Sequence, residues 1–308
     1  PAKIVQAIRQ ENVTNSFGSP TLWRKIAGHC LAQKISLPSL RRVLCAGAPV
    51  PADLWQNSRS WLPNGQLHSP YGATEALPVS TVSSDEIDLA SVRGACVGRP
   101  LAGIEVKIIA LTDAPISTLA DARELPSGEI GEIIVHGPIV TKLYDALPEA
   151  TALAKIQNTK YKSQKPASAP PGAVWHRMGD CGYLDATGCI WFCGRKAERV
   201  ETAAGLLFTE PCERVFRAHP RVTRCALVGL GPRGGQQPAL VVEGKIKNSD
   251  EAHAFARELR ALALAHPHTA LINRFYFHPR FPVDVRHNAK IHRLALATWA
   301  ATAQGYEG

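Results

Sequence analysis

The sequence predicts an α/β protein in which a parallel α/β layer passes into a β-rich stretch, followed by a small α+β domain. Three observations predict it. Helical and strand patterns alternate up to about residue 75, glycine-punctuated β patterns take over from about Val92, and near Lys196 helices and strands begin to alternate afresh. The boundary is placed at 195/196, giving domains 1–195 and 196–308.

The elements follow in order. AKIVQAIRQ is an amphipathic helix end, NVTNSF a short strand, and TLWRKIAGHCLAQK after Pro20 places apolar residues at helical spacing. RRVLCAG is a buried strand ending in glycine. PADLWQNSRSWL is a helix with Pro51 at its start, where proline's missing N–H costs nothing. QLHSPYGATE is a strand running into a loop. Such βαβ alternation implies parallel strands with ligand loops at their C-terminal ends. GIEVKIIAL and GEIGEIIVHGP are strands, TLADARELPSGEIGE is a surface loop entering a hairpin, and 157–173 is a polar, mobile excursion. WHRMGDCGYLDATGCIWFCGRK holds two short strands around DATG. Beyond it, RVETAAGLLF is a hairpin and EPCERVFRAH a helix opened by Glu210 and Pro211. CALVGLG and PALVVEG are strands, DEAHAFARELRALALAH is a helix, and RFYFHPRFPVDVRHNAKIHR is extended chain reaching a short helix. Two helical layers on a three-stranded sheet are expected there.

Bulk properties narrow the function classes. No apolar run approaches the roughly 18 residues that a membrane-spanning helix needs. The eight cysteines include no C-x-x-C pair and sit in apolar contexts, as expected of buried thiols in a reducing, cytoplasmic setting; zinc on Cys181, Cys189 and Cys193 is the alternative. The net charge of +9 is scattered in small clusters and aromatics are only 6%, which disfavours nucleic acid and suits a small anion such as ATP. The chain begins at Pro1, and a fragment of a longer polypeptide is expected.

The stretch SPYGATEALPVS (69–80) carries the densest chemistry. Tyr71 offers a face for stacking, Gly72 admits close backbone approach, Thr74 supplies a hydroxyl and Glu75 a hard oxygen for a divalent cation. A nucleotide bound with Mg²⁺ uses all four; an ordinary strand-to-loop turn is the competing reading.

Further motifs recur in a fixed order: AGAP (46–49), YGATE (71–75), GEIGE (128–132), MGDCGYLD (178–185), GR (194–195) and a lysine in FPVDVRHNAKIHR. This ordered set, spread over nearly the whole chain, resembles the adenylate-forming superfamily of acyl-CoA synthetases, peptide-synthetase adenylation domains and firefly luciferase. YGATEALPV, WHRMGD, FCGRK…RVET and VDVRHNAKIHR look closest to the OleC-type β-lactone synthetases of bacterial olefin biosynthesis. Met178 stands where the superfamily usually has the threonine of T-G-D, and HNAK replaces its usual glycine-lysine pair. Both departures favour the specialised branch.

The resemblance implies the following roles. Gly47, Ala48 and Pro49 wall an adenine pocket, Tyr71 stacks on the base, and Gly72 and Ala73 lie along the nucleotide. Thr74 touches the α-phosphate and Glu75 holds Mg²⁺. Asp180 accepts from the ribose hydroxyls and Arg195 reaches ribose or phosphate. Lys290 neutralises the charge that grows between carboxylate and α-phosphate. Ser19, Pro20, Trp23 and Ala76 lie near the acyl chain. The implied reaction is adenylation of a long-chain β-hydroxy acid by ATP, then closure to a β-lactone with release of AMP, with possible assembly with other olefin-biosynthesis enzymes. A fatty-acyl-CoA or fatty-acyl-AMP ligase is the alternative, and an inactive scaffold a second. The superfamily's Ser/Thr/Gly-rich phosphate loop is expected upstream of Pro1. Ala197, beside Lys196, occupies the usual hinge position of Asp or Lys.

Overall fold

A computed structural model describes residues 1–158, 173–284 and 290–308. Most of the expected excursion at 157–173, and the HNA of HNAK, lie outside the described residues. The chain divides into two compact units: Pro1–Leu89 with Cys96–Trp191, and Ala90–Ala95 with 192–284 and 290–308.

The first unit opens with α1 (Ala2–Gln10), β1 (Asn15–Gly18), α2 (Pro20–Ala32) and β2 (Arg42–Cys45). Ser19 caps α2 by accepting from the Leu22 amide at 3.3 Å, and Pro20 begins the helix. The single helix expected over 51–62 is two short ones, α3 (Ala52–Gln56) and α4 (Ser58–Trp61), separated at Asn57. The Asn57 side chain donates back to the Asp53 carbonyl at 2.8 Å, the local competition that makes asparagine a helix breaker. Next come β3 (Gln66–Ala73), β4 (Ala76–Ser83), β5 (Ala95–Pro100), β6 (Glu105–Ile109) and β7 (Gly131–His136). Then α5 (Pro148–Ala154), β8 (Lys155–Gln157), β9 (Val174–Leu184) and β10 (Ile190–Arg195) follow.

The sheet order is β1-β2-β3-β4-β5-β10-β9-β7-β6, with β8 paired to β9. β1–β2 and β2–β3 are parallel, whereas β3–β4, β4–β5, β6–β7, β7–β9 and β8–β9 are antiparallel. The parallel layer is covered on one side. Val43, Cys45 and Leu67 are buried with Trp23, Ile26 and Trp61, and the two indoles stack at 5.7 Å. On the other side Phe17, in register with Leu44, is 67% exposed, and Leu44 is 38% exposed. β9 runs for eleven residues where a short strand was expected, because its alternation is hidden: nine of the eleven residues, Val174–Met178 and Asp180–Tyr183, are buried, so no polar face marks its course.

In the second unit, the end of β10 leads into a 3-10 turn, Lys196–Glu198, and the hairpin β11 (Val200–Thr202) and β12 (Gly205–Leu207). It continues through α6 (Thr209–Arg217), β13 (Cys225–Leu230), β14 (Gln237–Glu243), α7 (Ser249–Leu264), β15 (Arg274–His278), α8 (Arg293–Ala300) and β16 (Tyr306–Glu307). Strand period 2 sends Leu227, Leu240 and Phe275 to one face with Phe216, Phe255 and Leu259 of α6 and α7. Ala226, Val228, Val241 and Tyr276 face Leu296 and Ala300 of α8. The sheet has four strands where three were expected; the two-residue β16, antiparallel to β15, is too short to leave a periodic signature.

Candidate active site

β3 and β4 form a hairpin whose turn is Thr74–Glu75. Their register pairs Tyr71 with Ser80 and Ala73 with Ala76, and shifts between. Gly72 sits at that irregularity, where an added Cβ would lie 2.5 Å from the Ala76 carbonyl oxygen, so only glycine fits. The Tyr71 hydroxyl donates to Asp180 Oδ2 at 2.7 Å, joining residues 109 apart in sequence. Asp180 is buried in β9, after Gly179 in the left-handed region (φ 65°). Met178, the departure from the usual threonine, is a core residue packed with Ala76, Val79 and Ile190, and Tyr71 lies against this cluster.

Glu75 is half-buried, and its Oε1 accepts from the Tyr144 hydroxyl at 2.7 Å. Burial pushes its pKa up, but the Tyr144 hydroxyl, its own backbone and the charges of His176 and Lys155 outweigh that, leaving the carboxyl below its ordinary value. Burial and the facing carboxylate in turn push the Tyr144 phenol up to about 12. Burial holds the Lys155 ammonium down to about 8, against the pull of Glu75. An ionised carboxylate whose second oxygen takes no hydrogen bond from a described side chain fits a hard cation. Among the described residues no group of three or more His, Cys, Asp or Glu could hold a metal, Cys181, Cys189 and Cys193 included. A cation at Glu75 would therefore complete its shell with phosphate and water oxygens, the usual habit of Mg²⁺.

The other expected residues fall as follows. Gly47 (φ 93°), Ala48 and Pro49 form the loop after β2, and Thr74 is exposed at the hairpin turn. Ser19 and Pro20 start α2, Trp23 is a core residue of that helix, and Ala76 is buried at the start of β4. Arg195 ends β10 and Lys290 is an exposed side chain, both in the second unit. The Lys290 carbonyl accepts from the Asp284 amide at 2.9 Å. Three residues on, Arg293 grips both Glu213 oxygens at 2.8 Å and Glu198 at 3.1 Å. Glu213 is fully buried and also accepts from the Leu227 amide.

Sequence reasoning missed Tyr144, Lys155 and the buried pair Arg177–Glu132. The Arg177 guanidinium donates to Glu132 Oε2 at 2.7 Å and to the carbonyls of Thr112, Ala114 and Leu153, tying β7, β9, α5 and the 112–114 loop together. Arg177→Met removes the ion-pair partner of a buried carboxylate and a donor to three carbonyls. It is expected to cost about 3–5 kcal/mol of stability, read as a lowered Tm by calorimetry; a Tm shift under about a degree would show the pair to be dispensable.

Comparison with known proteins follows this geometry. Residues 1–145 match the AMP-binding enzyme family. The chain is 46% identical over 307 residues to an olefin β-lactone synthetase of Stenotrophomonas maltophilia, covering 98% of this chain and 53% of that protein. It is 31% identical over 262 residues to a feruloyl-CoA synthase of an Amycolatopsis species, covering 83% and 47%. In structure it resembles the amide bond synthetase McbA of Marinactinospora thermotolerans, with TM-score 0.71, 27% identity, and 97% and 55% coverage. It also resembles the O-succinylbenzoate coenzyme A synthetase of Bacillus subtilis solved with ATP and magnesium ion, with TM-score 0.70, 22% identity, and 96% and 54% coverage. The chain spans about half the length of the curated relatives it matches. With its ordered motifs, its mixed α/β fold and these relatives, the chain belongs to the AMP-binding, adenylate-forming enzymes.

Proposed function

We propose that the full-length protein is an ATP-dependent β-lactone synthetase acting on a long-chain 2-alkyl-3-hydroxy acid. The observation that carries the nucleotide site is the Tyr71–Asp180 hydrogen bond, which puts a stacking ring and a buried carboxylate side by side. The branch is supported by the 46% identity to an olefin β-lactone synthetase.

In this reading a substrate carboxylate oxygen attacks the α-phosphorus of ATP and pyrophosphate leaves. The substrate's own β-hydroxyl then attacks the acyl carbon. AMP departs with the bonding electrons, the hydroxyl proton passes to solvent, and the four-membered ring closes. Tyr71, with the 47–49 loop, Gly72 and Ala73, holds adenine; Asp180 and Arg195 hold ribose; Thr74 meets the α-phosphate. Glu75 holds Mg²⁺, which supplies charge neutralisation at the phosphates. Lys290 serves the anionic transition state, and Ser19, Pro20, Trp23 and Ala76 border the acyl site. Residues 1–195 act as the C-terminal portion of the large adenylation domain, and 196–308 as a mobile small domain in a cytoplasmic enzyme that associates with others of olefin synthesis.

The identity to a feruloyl-CoA synthase keeps a CoA ligase as the second reading. Product analysis of the full-length protein with ATP, Mg²⁺ and a β-hydroxy acid separates them. Lactone and AMP formed without CoA are expected. An acyl-CoA thioester formed only when CoA is added would replace this reading with the second, and no AMP under either condition would leave the inactive scaffold.

A further inference from the structure

Glu75 is held at two points by one segment of chain. Its main-chain carbonyl accepts from the Thr141 amide at 2.8 Å, and its side chain accepts from the Tyr144 hydroxyl at 2.7 Å. The holders are themselves fastened. Tyr144 donates its amide to the Thr151 hydroxyl at 3.0 Å. Lys155, only 4% exposed, donates from Nζ to the Thr141 hydroxyl at 2.9 Å and stands 5.7 Å from the centroid of the Tyr144 ring. His176, equally buried, faces the Ala154 carbonyl through Nδ1 at 3.2 Å.

Three hydrogen bonds and one cation–ring contact close a ring from Glu75 through Thr141, Lys155 and Tyr144 back to Glu75. A buried lysine is costly to desolvate, and here the Thr141 hydroxyl and the face of the Tyr144 ring take up its ammonium. A lysine over a tyrosine ring is attracted to its face, which holds the phenol in place. The phenol occupies one carboxylate oxygen and so dictates which one is left over.

We propose that Tyr144, braced by Lys155 and Thr141, is a positioning residue that orients the Glu75 carboxylate so that Oε2 is the oxygen presented to the divalent cation of the nucleotide complex. This rests on the reading of Glu75 as the cation-linked carboxylate. Hydrogen-bond partners of ligating carboxylates commonly govern metal affinity by 10–100-fold when removed.

The test uses the full-length protein, a non-hydrolysable ATP analogue and Mn²⁺ as probe, with bound cation read by electron paramagnetic resonance and Tm measured alongside. Tyr144→Phe keeps the ring and its packing and removes only the hydroxyl. It is expected to weaken Mn²⁺ binding about tenfold with nucleotide present, and excess cation should restore nucleotide binding. Lys155→Met should shift the same constant in the same direction by less. Glu75→Gln should weaken Mn²⁺ binding further than either. Wild-type Mn²⁺ affinity in Tyr144→Phe, alongside a weakened Glu75→Gln, would overturn the positioning role and leave the Glu75 reading standing. Wild-type affinity in Glu75→Gln would remove the Glu75 reading itself. If Tyr144→Phe lowers Tm by several degrees, Lys155→Met decides: unchanged cation affinity there also overturns the proposal.

Discussion

Glu75→Gln in the full-length protein is expected to slow ATP-dependent adenylation by on the order of 100-fold or more. The substitution preserves shape, and the amide oxygen still accepts from Tyr144. What it removes is a full negative charge at a site where the surroundings favour the ionised form. In-line attack on a phosphorus concentrates negative charge between two oxygens, so a misplaced or weakly held cation acts where the barrier is highest. The measurement is the rate of pyrophosphate release over a range of Mg²⁺ concentrations. Wild-type rates across that range would remove Glu75 from the site.

Lys290→Ala should abolish AMP formation from ATP and a β-hydroxy acid while sparing ring closure. Adenylation builds charge between carboxylate and α-phosphate, where a flexible ammonium can follow moving oxygens. Closure starts from an acyl carbon already bearing a good leaving group and tethered to its nucleophile, so proximity supplies much of the rate. Given a presynthesised β-hydroxyacyl-adenylate, the variant should still release AMP and lactone. If both reactions fall equally, Lys290 serves both steps. If neither falls, it is a solvated surface charge, consistent with its exposed position.

The sequence was most legible where chemistry and local pattern coincide. QLHSPYGATE reads as a strand running into a loop, and the structure bears out the strand while making Thr74–Glu75 the turn of a hairpin, whose return strand β4, carrying Pro78, the pattern did not show. The helices α2, α6 and α7 carry clear apolar stripes with a cap or a first-turn proline. β9 was truncated in the reading because a strand buried on both faces has no period. Tyr144 and Lys155 were invisible for another reason. Neither lies in a motif with a periodic or metal-ligand spacing; Tyr144 reaches Glu75 by a hydrogen bond between residues 69 apart, and Lys155 acts on it through charge. The grip of Arg293 on Glu213 was missed likewise: DVRHNAKIHR reads as extended chain reaching a short helix, with nothing to mark this arginine, which a fully buried carboxylate draws inward.

The open side of the parallel layer decides which length of chain a measurement describes. Phe17 stands there beside Leu44, on the strand that ends the sheet order. Parallel strands are ordinarily covered on both faces, and the chain spans about half the length of the curated relatives it matches. Melting or solubility measured on residues 1–308 by themselves would therefore report a layer bare on one face, and only the full-length protein reports the stability of the site.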